Sequence, residues 1–323
     1  MATLSAVALA PVAHTARVRA SVRRATASHK SAFVGAFARP KVQHTITSST
    51  RRGVRVVANA APTGDALPPP AVFNTVCATA EKKAAQDPST TLVLGFSAGA
   101  LIGIGALLMS CVGGASPALA SANPGLCNFL KGAVGLPAGL TLVVLTGAEL
   151  FTGNVMVMLS GLLTKRVKTE ALVRNWALSY AGNFVGAVVL AYLAFGANTA
   201  AAPAAKAAVV GIATMKASLP FGVAFFKGVL CNWLVCLGVW GAMSTTSVAG
   251  KVLAIFWPIT AFVALGFEHS IANMFLIPHG MLCGATVTIK DMMMNNIIPV
   301  TLGNIFAAAV FVAGIHFWAY GRE

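Results

Sequence analysis

Glu268 and His269 stand side by side in "GFEHSIANMF" (266–275), with apolar chain on both sides. A carboxylate beside an imidazole can hold a proton, orient its neighbour or meet a charged solute. Neither group is cheap in apolar surroundings, and an ionisable side chain at that depth reads as functional by default. A second acid, Glu149, lies in "TGAELFTGNVM" (146–156) in a similar setting. Gly147, Glu149 and Asn154 recur as Gly266, Glu268 and Asn273, an offset of 119 residues. Another pattern recurs at 121 residues: Asn175 with Gly182-Asn183, against Asn296 with Gly303-Asn304.

The elements that carry these residues follow from the spacing of charge. The 323-residue chain is 57% hydrophobic and only 10% charged, with mean hydropathy +0.79. A soluble domain normally carries about 25% charged residues, so the composition points to an integral membrane protein. Nearly charge-free stretches begin at Ser89 and cover 132–164, 175–205, 217–250, 252–289 and 292–321. Each is long enough to cross a bilayer, which takes about 20 apolar residues. The expected fold is therefore all-α, with six transmembrane helices, because lipid offers no partner to free backbone groups. The two polar patterns make these helices a repeat of three spans plus three. An odd number of spans per copy inverts the second copy in the membrane.

Inverted repeats place a binding site near the midplane, where discontinuous helices meet. The second and fifth spans are the expected broken helices, being over-long and carrying glycine and polar residues at their centres. Half-helices starting near Thr152–Asn154 and Ile271–Asn273 would aim two N-termini, each roughly +0.5 charge, at one point. That point would favour an anion without any formal cation.

Residues 1–60 read as a chloroplast transit peptide. Ten Lys or Arg and no acid precede Asp65, in a Ser/Thr/Ala-rich stretch with no long apolar run, unlike a secretory signal. This segment accounts for most of the formal net charge of +15, so that charge does not indicate a nucleic-acid partner. Residues 61–72 read as a Pro-rich linker and 73–320 as the six-span domain. Seven basic residues flank the spans on the side of the termini against four on the other, which places the termini in the stroma. The six cysteines have no paired metal spacing, and no metal, cofactor or catalytic residue is expected.

The motifs "GAELFTGNVM", "KGVLCNWLVCLGVW", "FEHSIANMF" and "NNIIPVTLGN" closely resemble the formate/nitrite transporter family over about 73–318. With the leader, the chain resembles the chloroplast-envelope members of green algae, some assigned to nitrite and one branch to bicarbonate. The resemblance implies an aquaporin-like protomer, a homopentamer and the inner envelope membrane. It implies His269 as the central pore histidine, Thr152 as the facing threonine and Lys216 as a vestibule lysine. Glu268 and Asn232 would organise the histidine and its loop, with Glu149, Asn154 and Asn273 as further pore-organising residues. Leu140, Leu150, Phe151 and Phe262 would form the apolar constrictions.

The expected activity is passage of a small monovalent anion: nitrite first, with formate also permeant and bicarbonate the alternative. Protons are possible partners, and membrane lipid surrounds the chain. His269 would either meet the anion as a cation or lend it a proton; the sequence leaves both routes open. An aquaporin-like neutral-solute channel shares the architecture, but the paired Asn-Pro-Ala loops are missing, and the single Asn-Pro-Gly (123–125) lies outside a broken span. An enzyme is not expected, since no second histidine stands at ligand spacing and no nucleophile elbow occurs.

Overall fold

A computed structural model describes residues 66–322. The expected transit peptide, 1–60, lies outside the described residues. Helix α1 (Pro69–Ala85) begins inside the stretch read as linker up to residue 72, with prolines supplying its first turn. Every regular element among the described residues is helical.

The first crossing is α2 (Pro88–Leu108), extended by a π-helical turn at Met109–Gly113. Asp87 caps it by accepting from the backbone N–H groups of Ser89 and Thr90, with Pro88 at the first helical position. After the short α3 (Pro117–Ala122), α4 (Pro124–Val134) and α5 (Leu136–Thr146) run on as one apolar stretch. The chain then breaks and resumes as α6 (Phe151–Leu163). The third crossing is α7 (Thr169–Gly196). Helix α8 (Pro203–Ala217) leads to the fourth, α9 (Phe221–Met243). The fifth is broken into α10 (Val248–Ala264) and α11 (Ser270–Leu282). The sixth runs from Ile289 to Tyr320, as α12 (Ile289–Asp291), α13 (Ile298–Ala307) and α14 (Ile315–Tyr320) joined by π-helical turns.

The six expected crossings are present, and the second and fifth are the broken ones. Charge spacing did not reveal α1 and α8, whose sequences carry no long apolar run. They correspond to each other at an offset of 133 residues, one before each set of three crossings.

Backbone contact between helices organises the packing. A Cβ on Gly99 would fall 2.0 Å from the carbonyl oxygen of Asn183, and one on Gly186 1.9 Å from that of Phe96. Thus α2 and α7 touch through glycines spaced four apart, the device by which helices associate where lipid gives no hydrophobic drive. The second repeat does the same with α9 and α13: a Cβ on Gly303 would fall 2.2 Å from the carbonyl of Phe225.

A side chain at Gly186 meets backbone, which cannot swing aside. Gly186→Val is expected to destabilise by about 1–3 kcal/mol or more, read as a lower thermal unfolding midpoint in detergent. An unchanged midpoint would contradict the close packing of α2 on α7.

Candidate functional site

The two breaks are built alike. Helix α5 stops at Gly147 (φ +70°), and α10 is followed by Gly266 (φ +68°). That left-handed conformation suits glycine and ends a helix. Three residues later the backbone is extended at Leu150 and His269, and new helices start at Phe151 and Ser270. Such breaks free backbone groups that lipid cannot satisfy. Asn183 and Asn304 satisfy them. The Asn183 side chain accepts from the N–H of Phe151 at 2.9 Å and donates to the carbonyls of Gly95 and Glu149. Asn304 accepts from the N–H of Ser270 at 3.0 Å and donates to the carbonyls of Gly228 and Glu268. The N–H groups of Glu149 and Glu268 donate to the carbonyls of Leu94 and Lys227.

Each break also holds a buried carboxylate clamp. Glu149 accepts from Asn154 at 2.7 Å, Asn175 at 3.2 Å and Lys83 at 2.6 Å. Glu268 accepts from Asn273 at 2.7 Å, Asn296 at 3.1 Å and Lys216 at 2.9 Å. Both acids are buried. Three donors each are what a carboxylate at this depth requires.

At the centre, Nε2 of His269 lies 2.9 Å from Oγ1 of Thr152, joining the first turn of α6 to the N-cap of α11. The two positive helix ends therefore face each other. Nδ1 of His269 accepts from the backbone N–H of Ala272 at 3.1 Å. That nitrogen carries no proton, so the ring is neutral and its proton sits on Nε2, donated to Thr152. Asn232 donates to the carbonyls of Thr152 and Asn304. It thus fastens the opposing loop and the last crossing rather than the imidazole itself.

Three cavities follow one another through the protein. The one away from the termini has a volume of about 260 Å³ and is lined by Lys131, Leu136, Lys216, Phe262, Glu268 and His269 among others. The one on the side of the termini, about 190 Å³, includes Thr79, Lys83, Leu140, Leu150 and Asn154. Between them lies a chamber of about 10 Å³, walled by Ile102, Leu136, Leu140, Leu150, Val235, Ile259, Phe262 and His269. A single water needs ~10–15 Å³, so the chamber is at the limit of one small molecule. Leu136 and Phe262 wall both the outer cavity and the chamber; Leu140 and Leu150 wall the chamber and the other cavity. His269 is the one polar residue in the chamber lining.

Leu140, Leu150, Phe262 and His269 thus come together on this line, while Thr152 touches the imidazole from behind. Phe151 does not join them. Its ring packs edge-on against Tyr180 and Trp176, at centroid distances of 4.8 and 6.2 Å, away from all three cavities. Adjacent residues where extended chain enters a helix point to different sides, so Leu150 and Phe151 cannot share the constriction. Leu136 stands there instead. Sequence reasoning also missed Lys83, although "EKKAA" and "TMKAS" align it with Lys216 at 133 residues. Lys216 does line the outer cavity, but its charge is matched by Glu268. Lys131, in the same lining, has no carboxylate within 4 Å among the described residues.

A sequence model of formate/nitrite transporters matches residues 70–318. The chain belongs to the formate/nitrite transporter family. A probable formate transporter of Methanothermobacter thermautotrophicus is 45% identical over 80% of this chain and 100% of its own length. The nitrite transporter NirC of Escherichia coli is 35% identical, over 72% of this chain and 84% of its own. A solved pentameric formate channel with formate bound superposes with TM-score 0.64 and 31% identity, covering 73% of this chain and 98% of that one. The family member described here is accordingly an integral, multi-pass membrane transport protein, and not an enzyme.

Two outcomes follow for the lysines. Lys216→Met strands the Glu268 charge, which costs about 3–5 kcal/mol for a buried pair; Lys216→Met with Glu268→Gln should recover much of the lost thermal stability. Equal loss in single and double variants would contradict the ion pair's role. Lys131→Gln should slow anion uptake into liposomes at low ionic strength and lose its effect in high salt, because free surface charge steers ions only when unscreened. A salt-independent defect would refute steering.

Proposed function

We propose that this protein conducts small monovalent anions, with nitrite as its physiological substrate, across the inner chloroplast envelope as a homopentamer. Three lines of support bear on this: the family, the nitrite and formate relatives, and the basic, acid-free stretch ahead of Asp65. The pentameric arrangement of the formate channel it resembles supports five pathways, one per protomer.

One observation carries the mechanism: the chamber has apolar walls and a single polar group, a neutral imidazole. A bare ion forced through would face an idealised desolvation penalty of tens of kcal/mol. An imidazolium could offset this, but its Nδ1 proton would face the N–H of Ala272. The arrangement therefore favours passage of the ion as its neutral conjugate acid, after it has gained a proton in a vestibule. The facing helix ends and the paired lysines Lys83 and Lys216 hold it as an anion up to that point. His269 then donates its Nε2 proton in a hydrogen bond to the transient occupant instead of to Thr152. Feeding nitrite to the stroma fits this chemistry; formate and bicarbonate are the ions to compare.

Liposomes with a trapped pH dye provide the test. Inward nitrite gradients should acidify the lumen, and formate should behave alike, with bicarbonate slower. Uptake should quicken as external pH falls, and His269→Ala should lower the uptake rate by a similar factor across the pH series, because the ring acts as a neutral hydrogen-bond donor. Flux that builds a membrane potential without moving protons would refute the neutral-acid route. An unaltered uptake rate in His269→Ala would remove the imidazole from the mechanism.

A further inference from the structure

The two repeats diverge at a place the pathway does not use. Helices α1 and α6 pack closely: a Cβ on Gly161 would fall 2.5 Å from that of Ala80. The matching pair α8 and α11 meets in the same way, with Gly280 against Ala213 at 2.2 Å. Beside this contact the first repeat is filled and satisfied. The hydroxyl of Thr164 donates to Cys77, whose thiol donates to the carbonyl of Ser160. Phe73 completes the fill, packed near Trp240.

The second repeat replaces Ser160 by His279 and Phe73 by Lys206, at the same offsets of 119 and 133 residues. A cavity of about 380 Å³ opens there, lined by Asn198, Lys206, His279 and Cys283 among others. It shares no lining residue with the three cavities of the pathway. His279 is 1% exposed, and neither of its ring nitrogens has a hydrogen-bond partner among the described residues. A buried polar group left so bears the full cost of its lost solvation, a cost that its serine counterpart avoids by donating to the carbonyl of Met156. Lys206 is the one formally charged residue in the lining, and no carboxylate among the described residues lies within 4 Å of it. The helix ends beside the cavity are capped: Thr199 bonds Ala194 through both N–H and hydroxyl, and the Ala285 N–H bonds Gly280. The carbonyls of Ala194 and Gly280 are thus already occupied.

We propose that this cavity, between the end of α7, α8 and the end of α11, binds an oxyanion outside the conduction pathway. Lys206 supplies the charge, and His279 with Asn198 supplies directed hydrogen bonds. Phe195, an exposed residue of α7, lines the cavity, and the oxyanion comes either from a lipid headgroup or from free solute.

The test uses full-length protein and its thermal unfolding midpoint. In one arm, inorganic phosphate is titrated into protein in uncharged detergent. In the other, nanodiscs of zwitterionic lipid carry increasing phosphatidylglycerol. The midpoint should rise and saturate in one arm; the phosphate arm identifies free solute and the phosphatidylglycerol arm a headgroup. Lys206→Gln and His279→Ser should each raise half-saturation about tenfold, as for one lost charge-assisted bond. Both variants should keep nitrite flux in liposomes, which also shows that they fold. A flat response in both arms, half-saturation unchanged in both variants, or loss of flux in both would overturn the proposal.

Discussion

The structure depends on keeping two interruptions of helix stable where no water can reach them. Each interruption exposes backbone donors and acceptors, and each is held by one glutamate and a set of asparagines drawn from neighbouring helices. The carboxylate supplies acceptors for three donors at once, and a lysine from α1 or α8 balances its charge. Remove the clamp and the half-helices lose their register. The helix ends, the apolar constrictions and the imidazole would then no longer meet at one point.

The clamp is symmetric, but the chemistry is not. At the position where the second repeat has His269, the first has Leu150. Both lie at a half-helix N-terminus and both line the small chamber. The duplicated scaffold thus builds two equivalent places and equips only one with a titratable ring. Phe262 has Val143 as its counterpart, so the outer constriction is the bulkier one as well. Symmetry supplies rigidity, and departures from symmetry mark where solutes are handled. The same reasoning singles out Lys206 and His279, which replace a buried phenylalanine and a satisfied serine.

The pairing of lysines with glutamates changes the electrostatic picture of the vestibules. A lysine matched at 2.9 Å attracts ions far less at long range than a free one. Its value lies close in, where an arriving anion can share the ammonium with the carboxylate. Long-range attraction falls to Lys131, which lines the mouth with no carboxylate partner among the described residues.

Much of this was legible in the chain itself. Hydropathy and charge spacing determine six crossings, because a bilayer sets the length of apolar chain and forbids free backbone. The recurrence of Gly-Glu-Asn and of Asn with Gly-Asn determines the inverted repeat and which helices break, because a buried break needs both a left-handed residue and polar partners. Tertiary structure alone decided the rest. Whether Leu150 or Phe151 faces the constriction depends on how the chain turns from extended to helical, a rotation that sequence spacing does not encode. Leu136 at the constriction and the ion pairs of Lys83 and Lys216 emerge only when separate helices are brought together. The protonation state of His269 hangs on the same kind of fact: the N–H of Ala272 points at one ring nitrogen, and this leaves the other to carry the proton.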